Sequence, residues 1–250
     1  MGIESRRTDT RRIFLGFTPA EWKATDVARA SLARWIERSA HVYQVDYNSR
    51  LLIPEYGRET VVDPAGQLID VVSDAPMSTD HAISRFFVPY LCGYQGWALF
   101  TDGDVIFRRS VDDLFDRADP AYAVHVVQHP ALLDTTPKKA GHVQLTYPRK
   151  NWSSVMLFNC AHPAHERLTL DGLQQTPGRD LHAFCWLRDE EIGSLPKAWN
   201  FLVGIDEPLE VPDPAIVHFT LGTPDLPEHA NDLYADEWWQ MATSVGIRRS

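Results

Sequence analysis

The stretch that decides the fold is residues 96–110, GWALFTDGDVIFRRS. Two short apolar runs, WALF and VIF, flank the polar tetrapeptide TDGD. Short apolar runs bounded by turn formers are typical of buried strands in an α/β sheet, although a buried helix has the same apolar signature. Asp102 and Asp104 therefore fall where a strand ends. In open α/β sheets, the crevice beyond the carboxyl ends of the strands is the usual ligand site.

The two aspartates are separated by one glycine and repel each other unless a cation or strong hydrogen-bond donors neutralise them. We therefore predict that Asp102 and Asp104 bind a hard divalent cation, with Gly103 allowing the backbone to approach a ligand closely. The alternative is an acidic turn between two strands, in which one aspartate accepts backbone N–H bonds. The rest of the chain has to decide, because this short motif also occurs by chance.

The composition is that of a globular protein, with 250 residues, 44% apolar residues and a formal net charge of -10. A chain of this size buries roughly three quarters of its unfolded surface. We expect a mobile tail over residues 1–12 and a single α/β domain over residues 13–250. The negative charge argues against a nucleic-acid partner and against an anionic membrane surface. It does not argue against a phosphorylated substrate that is held through a metal ion.

The three cysteines, Cys92, Cys160 and Cys185, are odd in number, widely spaced and set among apolar residues. This pattern predicts reduced core residues in a cytoplasmic protein. The first residues, MGIESRRTDTRR, lack the apolar segment of a signal peptide. No apolar run has the length that a membrane span needs, so no membrane span is expected.

The first part of the domain reads as a βαβ unit. A strand, IFLGF, precedes a helix over residues 19–39 and a second strand, HVYQV. Thr18 and Glu21 match a capping box with proline at the first helical position. The first βα turn of such a unit often carries a nucleotide, which makes Thr18 a candidate donor-binding residue. The chain has no GxGxxG and no GxxxxGK[ST], so dinucleotide and P-loop sites are poorly supported.

A second helix is predicted over residues 78–91 and carries Arg85. The Arg85 guanidinium is interpreted either as solvated, with its stem on apolar neighbours, or as a phosphate contact. Residues 129–149 read as a loop in which Lys138 and Lys139 suggest a lid. An amphipathic helix, ADEWWQMATSVGI, is expected to pack on the outside near the end of the chain.

Small polar residues introduce the strand in NWSSVMLFNC. Asn151, Ser153 and Ser154 are of the kind that hydrogen-bonds sugar hydroxyls, and an equally economical interpretation is that they cap the strand. A lone histidine, His218, ends the apolar run PAIVHF. A histidine at a strand end is more often structural than a ligand, so the residue alone leaves both roles open.

Five motifs in chain order resemble the glycogenin-like retaining glycosyltransferases with the GT-A fold, and together they cover most of residues 13–222. The resemblance implies an α/β fold of GT-A type, with a Rossmann-like mixed sheet flanked by helices. The five motifs are SRFF (84–87), LFTDGDVIFRRSVDDLFD (99–116), SSVMLFNC (153–160), LPKAWNFL (195–202) and IVHFTLG (216–222).

The resemblance also implies an activity, namely metal-dependent transfer of a sugar, a hexose, from a nucleotide-sugar donor to an unknown acceptor, with retention. The expected donor is a UDP-sugar and the expected cofactor is Mn²⁺, or else Mg²⁺. Carried onto matching positions, the metal ligands are Asp102, Asp104 and His218. The donor-binding residues implied are Arg85, Asp102, Asn151, Ser153 and Ser154.

The chain departs from the family pattern in two places. Where the family has "DQ..LN", the sequence reads DLHAFCWL, so Asp180 and His182 are both candidate catalytic residues. The family's lysine after "Hf.G" is absent, because Thr223, Pro224 and Asp225 stand there. One phosphate contact must then come from elsewhere in the chain.

Other classes of function remain alternatives. A HAD-type phosphohydrolase also begins its signature with DxD after a strand, but that motif usually lies near the N-terminus and prefers Thr or Val where Ile106 stands. A nucleotide-sugar-binding protein that has lost catalysis would fit the missing lysine. A nucleotidyltransferase would need a Gly-rich basic loop after the first strand, which residues 16–20 do not offer.

Overall fold

The structure, a computed structural model, describes residues 11–36, 40–45, 53–130 and 149–249. The strands in these ranges are β1 (Arg11–Gly16), β2 (Ala40–Val45), β3 (Thr60–Val62), β4 (Leu68–Asp70), β5 (Ala75–Pro76), β6 (Trp97–Thr101), β7 (Val105–Phe107), β8 (Val124–Val126), β9 (Val155–Asn159), β10 (Ile192–Ser194), β11 (Phe201–Leu202) and β12 (Ile216–His218). The α-helices are α1 (Trp22–Ala33), α2 (Val88–Leu91), α3 (Asp112–Phe115), α4 (Leu170–Gln175), α5 (Gly178–His182) and α6 (Ala235–Ser244).

Six strands form a mixed central sheet in the order β10-β8-β9-β6-β1-β2. Strands β2, β1 and β6 are parallel, β9 is antiparallel to both β6 and β8, and β10 is parallel to β8. Among these six strands β9 alone runs in the opposite direction. The carboxyl ends of β1, β6 and β8 therefore lie at the same edge of the sheet as the beginning of β9. The predicted mixed α/β sheet flanked by helices is confirmed.

The two faces of the central sheet are both covered, which explains the continuous apolar runs in its strands. Side chains alternate between the faces as strand geometry requires. On β1, Phe14 packs in the core that includes Phe100 and Phe158, whereas Ile13 and Leu15 pack in the core on the other face. This double burial is why WALF reads as an uninterrupted apolar run.

A three-stranded sheet, in the order β11-β12-β7, continues from the DGD turn. Strand β12 pairs antiparallel with β7, so His218 lies opposite Val105, the residue that follows Asp104. Strand β11 runs parallel to β12 and places Leu202 opposite His218. A third core joins this sheet to α1 and α6, where Val27 and Trp238 are both fully buried. The pairing therefore brings residues more than a hundred positions apart to one point.

Strands β3, β4 and β5 form a small antiparallel sheet outside the central one. A buried ion pair fixes it, because two nitrogens of Arg58 lie 2.7 Å and 2.6 Å from the two carboxylate oxygens of Asp70. Arg58 also donates to the carbonyl of Leu173 at 2.7 Å, and Ser73 accepts from the backbone N–H of Gly178 at 2.8 Å. The small sheet is thus attached to α4 and α5.

The helix predicted over residues 19–39 is shorter in the structure. A 3₁₀ turn, Pro19–Glu21, precedes α1, which ends at Ala33, and residues 37–39 lie outside the described residues. The capping-box prediction is wrong, since the side chain of Thr18 makes no capping bond. Its hydroxyl oxygen instead accepts the backbone N–H of Asp80 at 3.2 Å. A tertiary contact has replaced the local one.

The helix predicted over residues 78–91 is also broken up. A 3₁₀ turn, Ser84–Phe87, carries Arg85, and only α2 is α-helical. Pro89 lies in the first turn of α2, where its missing N–H costs nothing. Strand β1 begins at Arg11, two residues earlier than predicted, and the rest of the expected tail lies outside the described residues.

The cysteine prediction is confirmed for Cys92 and Cys160, which are free and buried, and wrong for Cys185, which is exposed. The terminal helix was predicted to pack on the outside of the domain. In the structure, α6 packs against α1 through the buried side chain of Trp238. Lys138 and Lys139, the predicted lid, lie outside the described residues. None of the helices in the described ranges has the length and apolar character that crossing a membrane requires.

Candidate functional site

The DGD turn connects the central sheet to the smaller one. Asp102 follows β6, and its backbone N–H donates to the carbonyl of Ser154 at 2.8 Å. Asp104 precedes β7, and its carbonyl accepts the N–H of Phe219 at 2.9 Å. These two bonds fix both aspartates at the edge where β6 ends and β9 begins.

His218 faces the two carboxylates. Its Nε2 atom lies 3.1 Å from Oδ1 of Asp104 and 3.9 Å from Oδ2 of Asp102. Ligand atoms of the three residues all lie within 4.8 Å of one another. The Nε2 atom is buried and makes no hydrogen bond of acceptable geometry to the described residues. Two carboxylates and one imidazole nitrogen with an open lone pair fit a divalent cation, so these residues could hold one.

The orientation of the His218 ring is set by Asn200, which is fully buried. The Asn200 amide nitrogen donates to Oγ of Ser154 at 2.8 Å and to the carbonyl of Asn151 at 3.3 Å. Its Oδ1 atom is therefore the acceptor that faces Nδ1 of His218 at 3.0 Å. With the proton on Nδ1, the lone pair of Nε2 points at Asp102 and Asp104. This is the usual way in which a neighbouring group fixes the tautomer of a metal-binding histidine.

Two further side chains, those of Arg85 and His81, contact Asp102 through its Oδ1 atom. Oδ1 of Asp102 lies 2.9 Å from a guanidinium nitrogen of Arg85 and 3.0 Å from Nε2 of His81. Burial alone would raise the pKa of Asp102, but Arg85 and His81 outweigh burial and the repulsion from Asp104, so the pKa is lowered. The carboxylate therefore stays ionised, as a metal ligand must.

Arg85 is a buried residue, with 5% of its surface exposed, so the interpretation of a solvated side chain is wrong. It also donates to the carbonyls of Ser153 at 2.9 Å and His81 at 3.2 Å. Its guanidinium carbon lies 5.1 Å from the centre of the Phe100 ring. These contacts pin the positive charge beside Asp102.

Two glycines allow the end of β1 to approach the DGD turn. A Cβ atom on Gly103 would lie 2.3 Å from the carbonyl oxygen of Gly16 and 2.6 Å from Oγ1 of Thr25. A Cβ atom on Gly16 would lie 2.4 Å from the ring of His81. The close approach predicted at Gly103 is therefore made to the protein backbone of β1. The approach of a ligand to the Gly103 backbone stays a prediction.

The polar residues before β9 contact the group formed by Asp102, Arg85 and His218. Asn151 adopts a left-handed conformation with φ of 67°, and its amide nitrogen is buried without a hydrogen-bond partner in the described ranges. The Ser154 hydroxyl donates to the carbonyl of Asn151 at 2.6 Å. The Ser153 hydroxyl lies 2.7 Å from Nδ1 of His182. Both serine hydroxyls are thus engaged by the protein, whereas the buried amide nitrogen of Asn151 has no partner among the described residues.

The predicted catalytic candidates on α5 differ in their surroundings. The imidazole of His182 is held by Ser153 and by a hydrogen bond to the backbone of Ala82. Burial and the nearby Arg85 lower the pKa of His182 to about 3, so the ring is neutral. The side chain of Asp180 is 44% exposed and pairs with the adjacent Arg179 at 3.4 Å. Among the described residues, no contact links the side chain of Asp180 to Asp102.

Thr18, the predicted contact in the first βα turn, touches the site through His81. Its hydroxyl oxygen lies 3.4 Å from Nδ1 of His81, whose other nitrogen contacts Asp102. The turn is therefore connected to the cluster.

Sequence reasoning did not select His81 or Asn200 as site residues. His81 stands four residues before Arg85, and Asn200 lies in the LPKAWNFL motif that carried part of the resemblance. Their bonds to Asp102 and His218 join residues 21 and 18 positions apart. A pairing of polar residues over such distances gives no periodic signal in the sequence.

No protein-family model matches the chain. The chain is, however, 37% identical over 230 residues to a curated protein, protein CDI of Arabidopsis thaliana. The alignment covers 91% of the chain and 84% of that protein. The chain belongs to the family of protein CDI. This family membership says nothing by itself about the reaction.

Solved structures give the fold of this CDI-family protein. The galactosyltransferase LgtC, in complex with donor and acceptor sugar analogs, aligns with a TM-score of 0.57 at 16% identity over 95% of this chain and 97% of that one. The glycosyltransferase GlyE of Streptococcus pneumoniae TIGR4 aligns with a TM-score of 0.56 at 16% identity over 93% of this chain. The bifunctional WbbM aligns with a TM-score of 0.63 at 12% identity over 94% of this chain.

The CDI-family protein spans 60% of the GlyE chain and 50% of the WbbM chain. At these identities the likeness concerns the fold, and it confirms the expected GT-A type of α/β fold. The glycogenin-like subtype stays a prediction.

Proposed function

We propose that the protein is a metal-dependent glycosyltransferase that moves a sugar, with retention, from a UDP-sugar to an acceptor. The observation that carries this proposal is the convergence of Asp102, Asp104 and His218 at the carboxyl edge of a GT-A sheet. The buried Nε2 atom of His218 faces two carboxylates and makes no hydrogen bond to a described residue, which is a costly arrangement unless a ligand completes it. Manganese or magnesium is the cation that this oxygen-rich donor set suits.

In this proposal the three ligands hold the cation, which when bound supplies positive charge to the departing diphosphate. Asn200 fixes the ring of His218, and Arg85 and His81 keep the carboxylate of Asp102 ionised and oriented. Arg85 also adds positive charge to the field that an anionic donor meets, which an acidic protein needs at this site.

The sugar of the donor is placed over the residues that precede β9. Asn151, whose buried amide nitrogen has no partner in the described ranges, contributes to the sugar pocket, while Ser153 and Ser154 act as positioning residues. The engaged imidazole of His182 suits a positioning role better than the catalytic role expected from the sequence. Thr18 contributes to the site through His81.

A lysine from another segment of the chain contacts the loop in which the family's lysine is missing. Lys23 at the start of α1 lies 3.4 Å from Asp225, and Thr223 donates to the same carboxylate at 2.7 Å. We assign Lys23 the phosphate contact that Thr223, Pro224 and Asp225 do not supply. The phosphohydrolase alternative draws no support from the glycosyltransferase structures that share the fold.

The test is a thermal-shift panel of nucleoside diphosphates and nucleotide sugars, each with and without Mn²⁺. Binding that is specific to the folded state raises the melting temperature by mass action. Stabilisation that requires both UDP and Mn²⁺ is the expected result, and release of a sugar from the stabilising donor would establish transfer chemistry. Donor binding without transfer or hydrolysis would point to a protein that has lost catalysis.

A further inference from the structure

A small cavity of about 190 Å³ lies beside the candidate metal site. It is smaller than the roughly 300–1,000 Å³ pockets that take drug-sized ligands, and so it suits one ring rather than a chain of sugars. Its walls come from the segment after β8 and from the segment that contains β11. The residues that the argument uses are His129, Lys197, Leu202, Asp206, Glu207 and Glu210.

Strand pairing places the cavity next to the metal ligands. Leu202 lies opposite His218 in the parallel pairing of β11 with β12, and paired residues project to the same face of a sheet. His129 follows the carboxyl end of β8, which lies at the same edge as Asp102. Asn200, two residues before Leu202, hydrogen-bonds to His218. The cavity and the cation site therefore share one edge and one face.

His129 contributes a buried imidazole to the wall of this cavity. The residue is 4% exposed, and its Nε2 atom is buried with no hydrogen-bond partner among the residues that the structure describes. Burial is the main reason that the pKa of His129 is lowered to about 4, and the charges of His218 and Lys197 add to the effect against that of Asp206. The neutral ring therefore adds no charge to the wall of the cavity.

The charged groups of the cavity are mostly acidic. Lys197 lies 3.4 Å from Asp206 and 2.8 Å from Glu210, so its ammonium group is already paired. Asp206 also accepts the backbone N–H of Leu202 at 2.8 Å. Glu207 adds a third carboxylate. An acceptor that carried a carboxylate or phosphate would be repelled, whereas a neutral polyol would find hydrogen-bond acceptors.

We propose that this cavity binds the acceptor as a single neutral sugar ring, with its hydroxyls bonded to the carboxylates of the wall. The inference rests on the proposed function, because it names the acceptor class of that same site. In the transfer, the acceptor hydroxyl oxygen forms a bond to the anomeric carbon. The bond from that carbon to the diphosphate oxygen breaks, the diphosphate keeps the electron pair, and the hydroxyl proton passes to it.

The first test needs no turnover. Saturation-transfer difference NMR is recorded on methyl glycosides of glucose, galactose and mannose, on methyl glucuronide and on glucose 6-phosphate, with and without UDP and Mn²⁺. At least one neutral glycoside should give a signal that exceeds those of the two acidic probes. Equal or stronger signals from the acidic probes, or none from any neutral glycoside in either condition, would overturn the proposal.

Two variants assign the binding to this cavity. Glu207→Ala removes one hydrogen-bond acceptor and should weaken the neutral glycoside about fivefold, in affinity or in acceptor KM, because a net hydrogen bond is worth about 1 kcal/mol. Glu207→Lys changes an exposed residue, so it does not disturb packing. It should raise binding of methyl glucuronide relative to methyl glucoside about tenfold. Glu166→Lys, the same charge change at an exposed position that does not line the cavity, is the matched control.

The outcomes separate the two claims. Variants that bind glycosides like the Glu166→Lys control would overturn the cavity assignment while UDP binding to the unaltered protein still supported the transferase. Loss of glycoside signal in the cavity variants, in a protein that does not bind UDP with Mn²⁺, would support the sugar site and contradict the transferase. UDP affinity in the cavity variants should stay within about twofold of the unaltered protein, since lost hydrogen bonds to a different ligand do not enter that equilibrium.

Discussion

Asn200 accepts a hydrogen bond from His218, with 3.0 Å between Oδ1 and Nδ1, and thereby fixes which nitrogen of the imidazole faces the two aspartates. The other two bonds of the amide, to Ser154 and Asn151, leave no freedom to reverse it. The residue thus connects the polar segment before β9 to the candidate cation site.

The first prediction concerns this bond. Asn200→Ala should weaken Mn²⁺ binding about 10–100-fold, the usual effect of losing a group that orients a metal ligand. Asn159→Ala removes the amide of another buried asparagine, which donates to the carbonyls of Pro120 and Tyr122, and should leave Mn²⁺ affinity unchanged. Electron paramagnetic resonance of free Mn²⁺ measures both. An Asn200→Ala protein that binds Mn²⁺ like the unaltered one would show that the ring needs no such partner.

The second prediction concerns the contact between the DGD turn and β1. Gly103→Ala places a Cβ atom 2.3 Å from the carbonyl of Gly16, and the backbone must shift to relieve it. We expect a loss of about 1–3 kcal/mol in the free energy of unfolding, as in other overpacked sites, together with weaker Mn²⁺ binding. Urea unfolding measures the first effect.

The matched control is Gly57→Ala, because the nearest atom to its new Cβ would be a side-chain oxygen of Gln174 at 3.4 Å. This variant should leave Mn²⁺ binding unchanged. If Gly103→Ala is as stable as the control, then the close approach of the two backbones does not constrain the site.

The third prediction is a pH dependence. Burial alone would raise the pKa of Asp70, but hydrogen bonds from Arg58 and Ser73 and the charge of Arg58 outweigh it, so the pKa lies below its ordinary value of 3.8. A carboxylate with a lowered pKa stabilises the folded state above its ordinary pKa, and this stability is lost as the pH falls through the lowered value. The contribution of Asp70 should therefore be constant from neutral pH to about pH 5 and shrink below about pH 4.

Asp70→Asn breaks a fully buried pair and should cost about 3–5 kcal/mol at pH 7. Urea unfolding at pH 7, 5, 4 and 3 should show the difference from the unaltered protein narrowing only in the two most acidic samples. Asp171→Asn, at an exposed position, should show no comparable difference at any pH. A cost for Asp70→Asn that is equal at pH 7 and pH 3 would contradict the assignment.

How far the sequence led can be judged from particular residues. The strand before Asp102 and the one after Asp104 were recognisable because both are buried on two faces and read as unbroken apolar runs. His218 was ambiguous alone and was nominated through the family resemblance, in which its motif follows the DGD in order. The structure adds the antiparallel pairing of β12 with β7 that brings it to Asp104.

Other features depended on tertiary contacts that local patterns do not encode. Thr18 matched a helix cap, yet the backbone of Asp80 claims its hydroxyl. Gly103 was expected from its place between two aspartates, yet the close contact that requires a glycine there is made to the carbonyl of Gly16. His81 is a site residue only because Gly16 leaves room for its ring beside Asp102. In each case the competing partner lies in a different segment of the chain.

The central claim, that Asp102, Asp104 and His218 hold a cation that binds the diphosphate of a donor, is tested most directly by isothermal titration with UDP. The titration is run with and without Mn²⁺ on the unaltered protein, on Asp104→Asn and on the exposed control Asp171→Asn. The account predicts UDP binding that requires Mn²⁺ in the unaltered protein and the control, and its loss in a folded Asp104→Asn protein. UDP binding that is independent of Mn²⁺, or that survives unchanged in Asp104→Asn, would contradict it.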